Sequence, residues 1–181
     1  CSDDGSDNEA DVPDTDAPAS SDDRTSETPE PVIVTSATGN DIEVTPTTER
    51  VYALEEITAL GLATLDVRPI ATQEFFGYGY SFLDDIADEV APLNESVELI
   101  AAADPSLIVA INHPFFTELE DELAAIAPVV FTDFAAPWDE QLGVLAGVTG
   151  RTDQAAAVTT LIDNETAALA ADLQADWAGA E

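Results

Sequence analysis

The chain has 181 residues, with 38 Asp and Glu against 4 Arg and no Lys, for a formal net charge of −34. No basic patch exists to neutralise phosphates, which argues against nucleic-acid binding. No window of eighteen apolar residues occurs, which argues against a membrane-spanning helix.

Residues 1–31 open "CSDDGSDNEADVPDTD" and hold one large aliphatic residue, Val12, among Asp, Glu, Ser, Thr and Pro. They cannot bury enough apolar surface to offset chain entropy and are expected to form a disordered, self-repelling acidic tether. From 32 to 150 the composition is that of one globular domain. "PVIVTSATGNDIEVTP" predicts a β-hairpin, with strands at Val32–Val34 and Ile42–Val44 and a turn at Thr38–Asp41. Strands and helices then alternate. "RVYAL" reads as a strand, "EEITALGL" as a helix, "VRPIAT" as a strand, and "VELIAAA" as a helix stopped by Pro105. "SLIVAIN" is a strand, "FTELEDELAAIA" a helix, "PVVFTD" a strand, and "WDEQLGVLAGVTG" a helix that Gly147 or Gly150 can end. Short apolar strands alternating with helices imply an α/β fold, a mainly parallel sheet with helices on both faces. The final segment, 151–181, is Ala-rich; its helix, from Thr152 to about Ala178, spans roughly 40 Å at 1.5 Å per residue.

Ligands of an open parallel sheet bind outside the carboxyl ends of its strands. Of the twelve aromatics, nine lie in three of the loops that follow strands: Phe75, Phe76, Tyr78, Tyr80, Phe82, Phe115, Phe116, Phe134 and Trp138. This concentration marks a candidate ligand site. Phe82, Phe116 and Phe134 serve equally well as core anchors, whereas Tyr78 and Tyr80, bracketed by Gly77 and Gly79, have no apolar periodicity to explain them. Trp138, beside Pro137, either packs under its loop or lines the rim. Glu55 or Glu56 would coordinate a cation or accept bonds from ligand hydroxyls; solvated acids favoured by a helix N-terminus are the alternative. The sole His, His113, cannot alone build a zinc or manganese site. It reads as a hydrogen-bonding group at the rim or as a structural histidine.

Nothing in the sequence points to catalysis. "GYGYSF" lacks the third glycine of a dinucleotide fingerprint, and GxSxG, P-loop and HExxH patterns are absent. The expected site is rich in aromatic faces and poor in chemistry, with no cofactor and no metal.

Three stretches, "TERVYALEEITALGL", "NESVELIAAADPSLIVAINH" and "AIAPVVFTD" continuing to "WDEQLGVLAGVTGRTDQAAAV", together resemble the N-terminal lobe of ABC-transporter substrate-binding proteins for iron-siderophores, haem and cobalamin. The chain departs from that pattern in carrying Thr48 at a usual proline position. The resemblance implies a solute receptor that is not an enzyme, and a role for Glu98: this residue takes the place of the glutamate that pairs with an arginine of the membrane permease. Such a pair contributes orientation and on-rate and weakens with salt. Family members continue into a C-terminal lobe that completes the cleft, so the chain is expected to act as half a binding protein, with 151–181 as the linking helix and weak capture of ligand. A cleft with aromatics and no base suits a hydroxamate-type iron-siderophore first, and a corrinoid or haem second. A surface lipoprotein without a transport role is the competing reading.

The opening Cys also resembles the first residue of mature bacterial lipoproteins, released by cleavage of a signal peptide. That likeness implies a lipid on Cys1 and an extracytoplasmic chain held at the outer face of the cytoplasmic membrane; a free thiol is the alternative. Two or more acyl chains, at about 0.8 kcal/mol per buried CH₂, hold a protein on a bilayer durably.

Overall fold

A computed structural model describes residues 29–77, 79–91 and 96–178. Cys1, most of the acidic segment expected to be a tether, and Tyr78 lie outside the described residues.

The predicted hairpin forms from β1 (Val32–Thr35) and β2 (Asp41–Val44), paired antiparallel with Val32 opposite Val44. Its turn is fastened to the rest of the molecule. The Ser36 hydroxyl accepts from Phe131 N–H at 3.0 Å, Ala37 N–H donates to Phe131 C=O at 2.9 Å, and Thr38 and Asn40 both donate to the Glu120 carboxylate. The hairpin end therefore covers an otherwise open sheet edge.

Next come β3 (Val51–Ala53), α1 (Glu56–Thr64), β4 (Ala71–Gln73), α2 (Leu83–Ile86), β5 (Val90–Ala91) and α3 (Val97–Ala102). The chain continues through β6 (Leu107–Ile111), α4 (Pro114–Thr117), α5 (Glu120–Ala124), β7 (Val129–Thr132), α6 (Trp138–Thr149) and α7 (Thr152–Ala178). The second sheet is parallel throughout and ordered β5-β4-β3-β6-β7. Its two faces are both covered, as near-continuous apolar strands require. Alternation along β6 sends Val109 to one cluster with Leu62, Leu142 and Val148 of α1 and α6; Ile108 and Ala110 go to another with Ile100, Phe116 and Leu123.

The structure corrects several sequence expectations. The "VRPIAT" strand begins only at Ala71, because Arg68 turns away to hold α2. Its guanidinium donates to the carbonyls of Asp84, Asp85 and Ala87 and meets the Asp88 carboxylate at 2.6 Å. The helix expected over "FTELEDELAAIA" starts earlier and divides. His113 caps α4 with Pro114 in the first turn, a residue pre-set for that place, and Leu119 (φ −98°, ψ 2°) separates α4 from α5. Of the two glycines offered as stops for α6, Gly150 is the one used: it is left-handed at φ 69°, and Arg151 N–H closes on Ala146 C=O. The elements α2 and β5, four and two residues long, were not anticipated; neither is long enough to show a hydrophobic period.

Candidate ligand-binding site

The order β5-β4-β3-β6-β7 reverses direction between β3 and β6, since the chain runs outward from β3 through β4 to β5 and then returns to β3's other side. The carboxyl ends of β3 and β6 flank the crevice where an open sheet receives ligands. Glu55 follows β3, and Asn112 and His113 follow β6.

Glu55 does not face that crevice as a ligand group. It is 0% exposed and caps α1: its carboxylate accepts from Thr58 N–H at 2.9 Å, from the Thr58 hydroxyl, and from Ile111 N–H at 3.2 Å. Burial pushes its carboxyl above the ordinary glutamate range, opposed by those hydrogen bonds. The expectation of a ligand-binding Glu55 is thus corrected. The side chain joins α1 to β6 from within, because the extended backbone at the cap (φ −155°, ψ 166°) turns it toward the strand ends.

Glu56, expected as a solvated acid or a ligand group, is 2% exposed and also turns inward. Its two oxygens accept from the successive backbone N–H groups of Phe75 and Phe76, both at 2.8 Å. A buried carboxylate therefore grips the loop that follows β4. Beyond the grip, Gly77 and Gly79 adopt left-handed φ angles of 67° and 66°, and Gly79 N–H donates to the Glu74 carboxylate. Glycine is the residue that takes this conformation without steric cost.

Held this way, Phe75 becomes the hub of an aromatic cluster. Its ring centroid lies 5.1 Å from Phe76, 5.1 Å from His113, 5.4 Å from Phe115 and 4.7 Å from Phe116. These are edge and tilted contacts, the geometry favoured by the ring quadrupole. Phe116 is buried and belongs to the core; Phe115 and His113 are exposed. The cluster joins the loops after β4 and β6. A third loop is attached by Asn112, whose Oδ1 accepts from Phe134 N–H at 3.0 Å and whose Nδ2 donates to Asp133 at 3.2 Å.

Other predicted site residues are placed differently. Tyr80 pairs with Phe82 at 5.0 Å. Trp138 is outside the cluster. It borders a groove of about 300 Å³ between α1, α6 and α7, lined also by Ile57, Leu60, Leu145 and Ile162. Glu98 stands exposed on α3, its carboxyl held below the usual glutamate range by hydrogen bonds from its own N–H and from the Ser96 hydroxyl. The contributions of Glu56 and Asn112 were missed, since a single acidic or amide residue at a strand end carries no periodic signal of burial.

The cluster receives no cation from the two arginines nearest the sheet. Arg50 precedes β3 and hooks the Ala103 and Asp104 carbonyls; Arg68 precedes β4 and holds α2. Both lie at the amino ends of their strands, opposite the aromatic loops.

A parallel sheet covered on both faces, with aromatic side chains gathered at its carboxyl edge and a long helix at its end, defines an α/β binding lobe. The chain belongs to the periplasmic binding protein family, whose match extends over residues 81–180. Solved structures agree on the fold. Staphylococcus aureus SirA complexed with staphyloferrin B superposes with a TM-score of 0.70 at 22% identity, over 81% of this chain and 51% of that one. A periplasmic solute binding protein from Mycobacterium smegmatis gives 0.62 at 26% identity, over 74% and 52%. The triscatecholate siderophore binding protein FeuA from Bacillus subtilis, complexed with ferri-bacillibactin, gives 0.59 at 20% identity, over 74% and 49%. The chain thus spans about half the length of these proteins. A search of curated proteins finds no match.

Proposed function

We propose that this chain is a solute-binding component of an ABC importer that captures an iron(III)-siderophore, of the hydroxamate type, and delivers it to a membrane permease. The observation that carries the proposal is the aromatic cluster built around Phe75 at the carboxyl edge of the parallel sheet. Membership of the periplasmic binding protein family supports a binding role over an enzymatic one, and the siderophores named with SirA and FeuA support the iron-chelate class. Preference for an uncharged or cationic hydroxamate complex rests on the placement of Arg50 and Arg68 away from the aromatic loops. A triply anionic catecholate needs positive charge beside it. Haem or a corrinoid is the second reading, favoured by the same ring faces.

Equilibrium dialysis at millimolar chelate tests the ligand order. Ferric hydroxamate should be retained best and ferric tris-catecholate least. Retention led by the catecholate would overturn the ligand order, and retention of none, haem and cobalamin included, would favour a surface protein without a transport role.

Delivery and attachment belong to the same proposal. Glu98, exposed and held ionised, is assigned to an arginine of the permease. Glu98→Arg should leave the chain folded, as read by far-ultraviolet circular dichroism, while lowering ligand-dependent ATPase activity of a permease reconstituted with the protein. Unchanged stimulation would remove Glu98 from the docking surface. Among the described residues no helix is long and apolar enough to cross a membrane; the proposal gives attachment at the outer face of the cytoplasmic membrane to a lipid on Cys1, which mass spectrometry of the cell-derived protein would reveal.

A further inference from the structure

We infer that His113 is a directional donor in the site: its imidazole is fixed with the proton on Nε2, and that N–H binds an acceptor oxygen of an uncharged or cationic hydroxamate chelate whose apolar backbone lies on the Phe75 and Phe115 rings. The inference rests on the iron-siderophore reading of the same site and adds to it the residue and the atom that select the ligand.

The tautomer follows from the local backbone. His113 is the N-cap of α4, and its Nδ1 accepts from Phe115 N–H at 3.2 Å. An accepting Nδ1 carries a lone pair, so the proton of the neutral ring sits on Nε2. Among the described residues Nε2 has no hydrogen-bond partner, and the side chain is exposed rather than sealed in the core. The ring is also fixed in direction. It meets Phe75 at 5.1 Å with an interplanar angle of 64° and Phe116 at 6.2 Å with 67°. Phe75 is itself set by Glu56 through the backbone bond at 2.8 Å. A donor held beside aromatic faces, with its other nitrogen committed to the backbone, is a pre-organised polar point in an otherwise apolar surface. Small-molecule sites use such points to fix orientation.

The chemistry of the partner follows. A neutral N–H adjoining apolar rings recognises a carbonyl or N–O oxygen, and the rings accept aliphatic spacers. A hydroxamate chelate presents both. The two roles of His113, cap and donor, separate by substitution. His113→Asn retains a short acceptor for Phe115 N–H but has nothing at the Nε2 position. His113→Gln gives up the cap and keeps an amide N–H at comparable reach.

The test uses the full 181-residue chain and gallium(III) desferrioxamine B, a diamagnetic trihydroxamate complex, followed by amide shifts in nitrogen-15 NMR. Imidazole nitrogen shifts of the free protein should show the Nε2–H tautomer of the neutral ring. The wild-type chain should give saturable shifts, the Asn variant should bind about tenfold more weakly, equivalent to ~1.4 kcal/mol, and the Gln variant should stay within about threefold of wild type. An Nδ1–H tautomer overturns the inference directly. Saturable wild-type binding with Asn as strong as Gln, or stronger, overturns the donor role and leaves the siderophore reading standing; no saturable shift in the wild type overturns both.

Discussion

Glu56→Ala should lower the unfolding free energy by about 3 kcal/mol and release the loop that carries the aromatic hub. The carboxylate accepts two backbone N–H bonds at 2.8 Å from a position 2% exposed to solvent. Hydrogen bonds to a charged group contribute about 1.5–3 kcal/mol each, and stranded buried donors add a penalty of their own. Water reaches the part-buried Phe75 and Phe76 amides once the loop loosens, which keeps the loss below the simple sum. Glu56→Gln retains one acceptor and turns an amide donor on the other N–H, so about half the loss is expected. Urea melts measure the stability. Hydrogen exchange at the Phe75 and Phe76 amides reads the loop, and if those amides stay protected in Glu56→Ala, the carboxylate is not what holds the aromatic hub in place.

Glu55, one residue earlier, should make the stability of the chain depend on pH. Its carboxyl is pushed up by burial, with Thr58 and Ile111 hydrogen bonds only partly opposing the shift. A folded-state value above the unfolded one means that the native state holds the proton more tightly. The associated stability is fully present below the unfolded value and is lost as pH rises through the folded value. The stability of the wild type relative to Glu55→Gln should therefore increase as the solution is acidified from neutral pH, and level off below the ordinary glutamate value of 4.5. The two proteins differ only at residue 55, so the difference between them reads Glu55. Paired chemical denaturation across that range measures it; a difference that stays flat, or that shrinks on acidification, would show that Glu55 is not penalised by its burial.

The two glutamates also show where sequence reading reaches its limit. The strand and helix order was legible because β3, β6 and β7 are apolar runs bounded by helices with clear periods, and the aromatic loops could be located because each follows such a strand. Direction of a single side chain was not. Acids at the start of a helix are usually solvated, yet extended backbone at Glu55 and the approach of the Phe75 loop to Glu56 send both inward. Trp138 illustrates the converse: it lies near the carboxyl end of β7, as expected, but faces the groove between α1, α6 and α7 instead of the Phe75 cluster. Its neighbours come from helices distant in sequence, so no local pattern could reveal the choice. In the loop after β6, His113 was recognisable as a polar group at the rim. Its committed Nδ1 emerges only from the cap geometry.

Together, Glu55, Glu56 and Asn112 connect the strand ends through side-chain bonds to the backbone of neighbouring segments. Such bonds fix the aromatic surface before any ligand arrives, which reduces the ordering cost of binding. Mapping amide shifts across the chain during titration with gallium(III) desferrioxamine B tests this placement of the site most directly. Perturbations should centre on Phe75, Phe76, His113, Phe115 and Phe134, and leave Ile57, Leu60 and Ile162 unmoved. Shifts concentrated instead on those three residues of the helical groove would place the ligand away from the aromatic cluster and contradict its assignment as the binding surface.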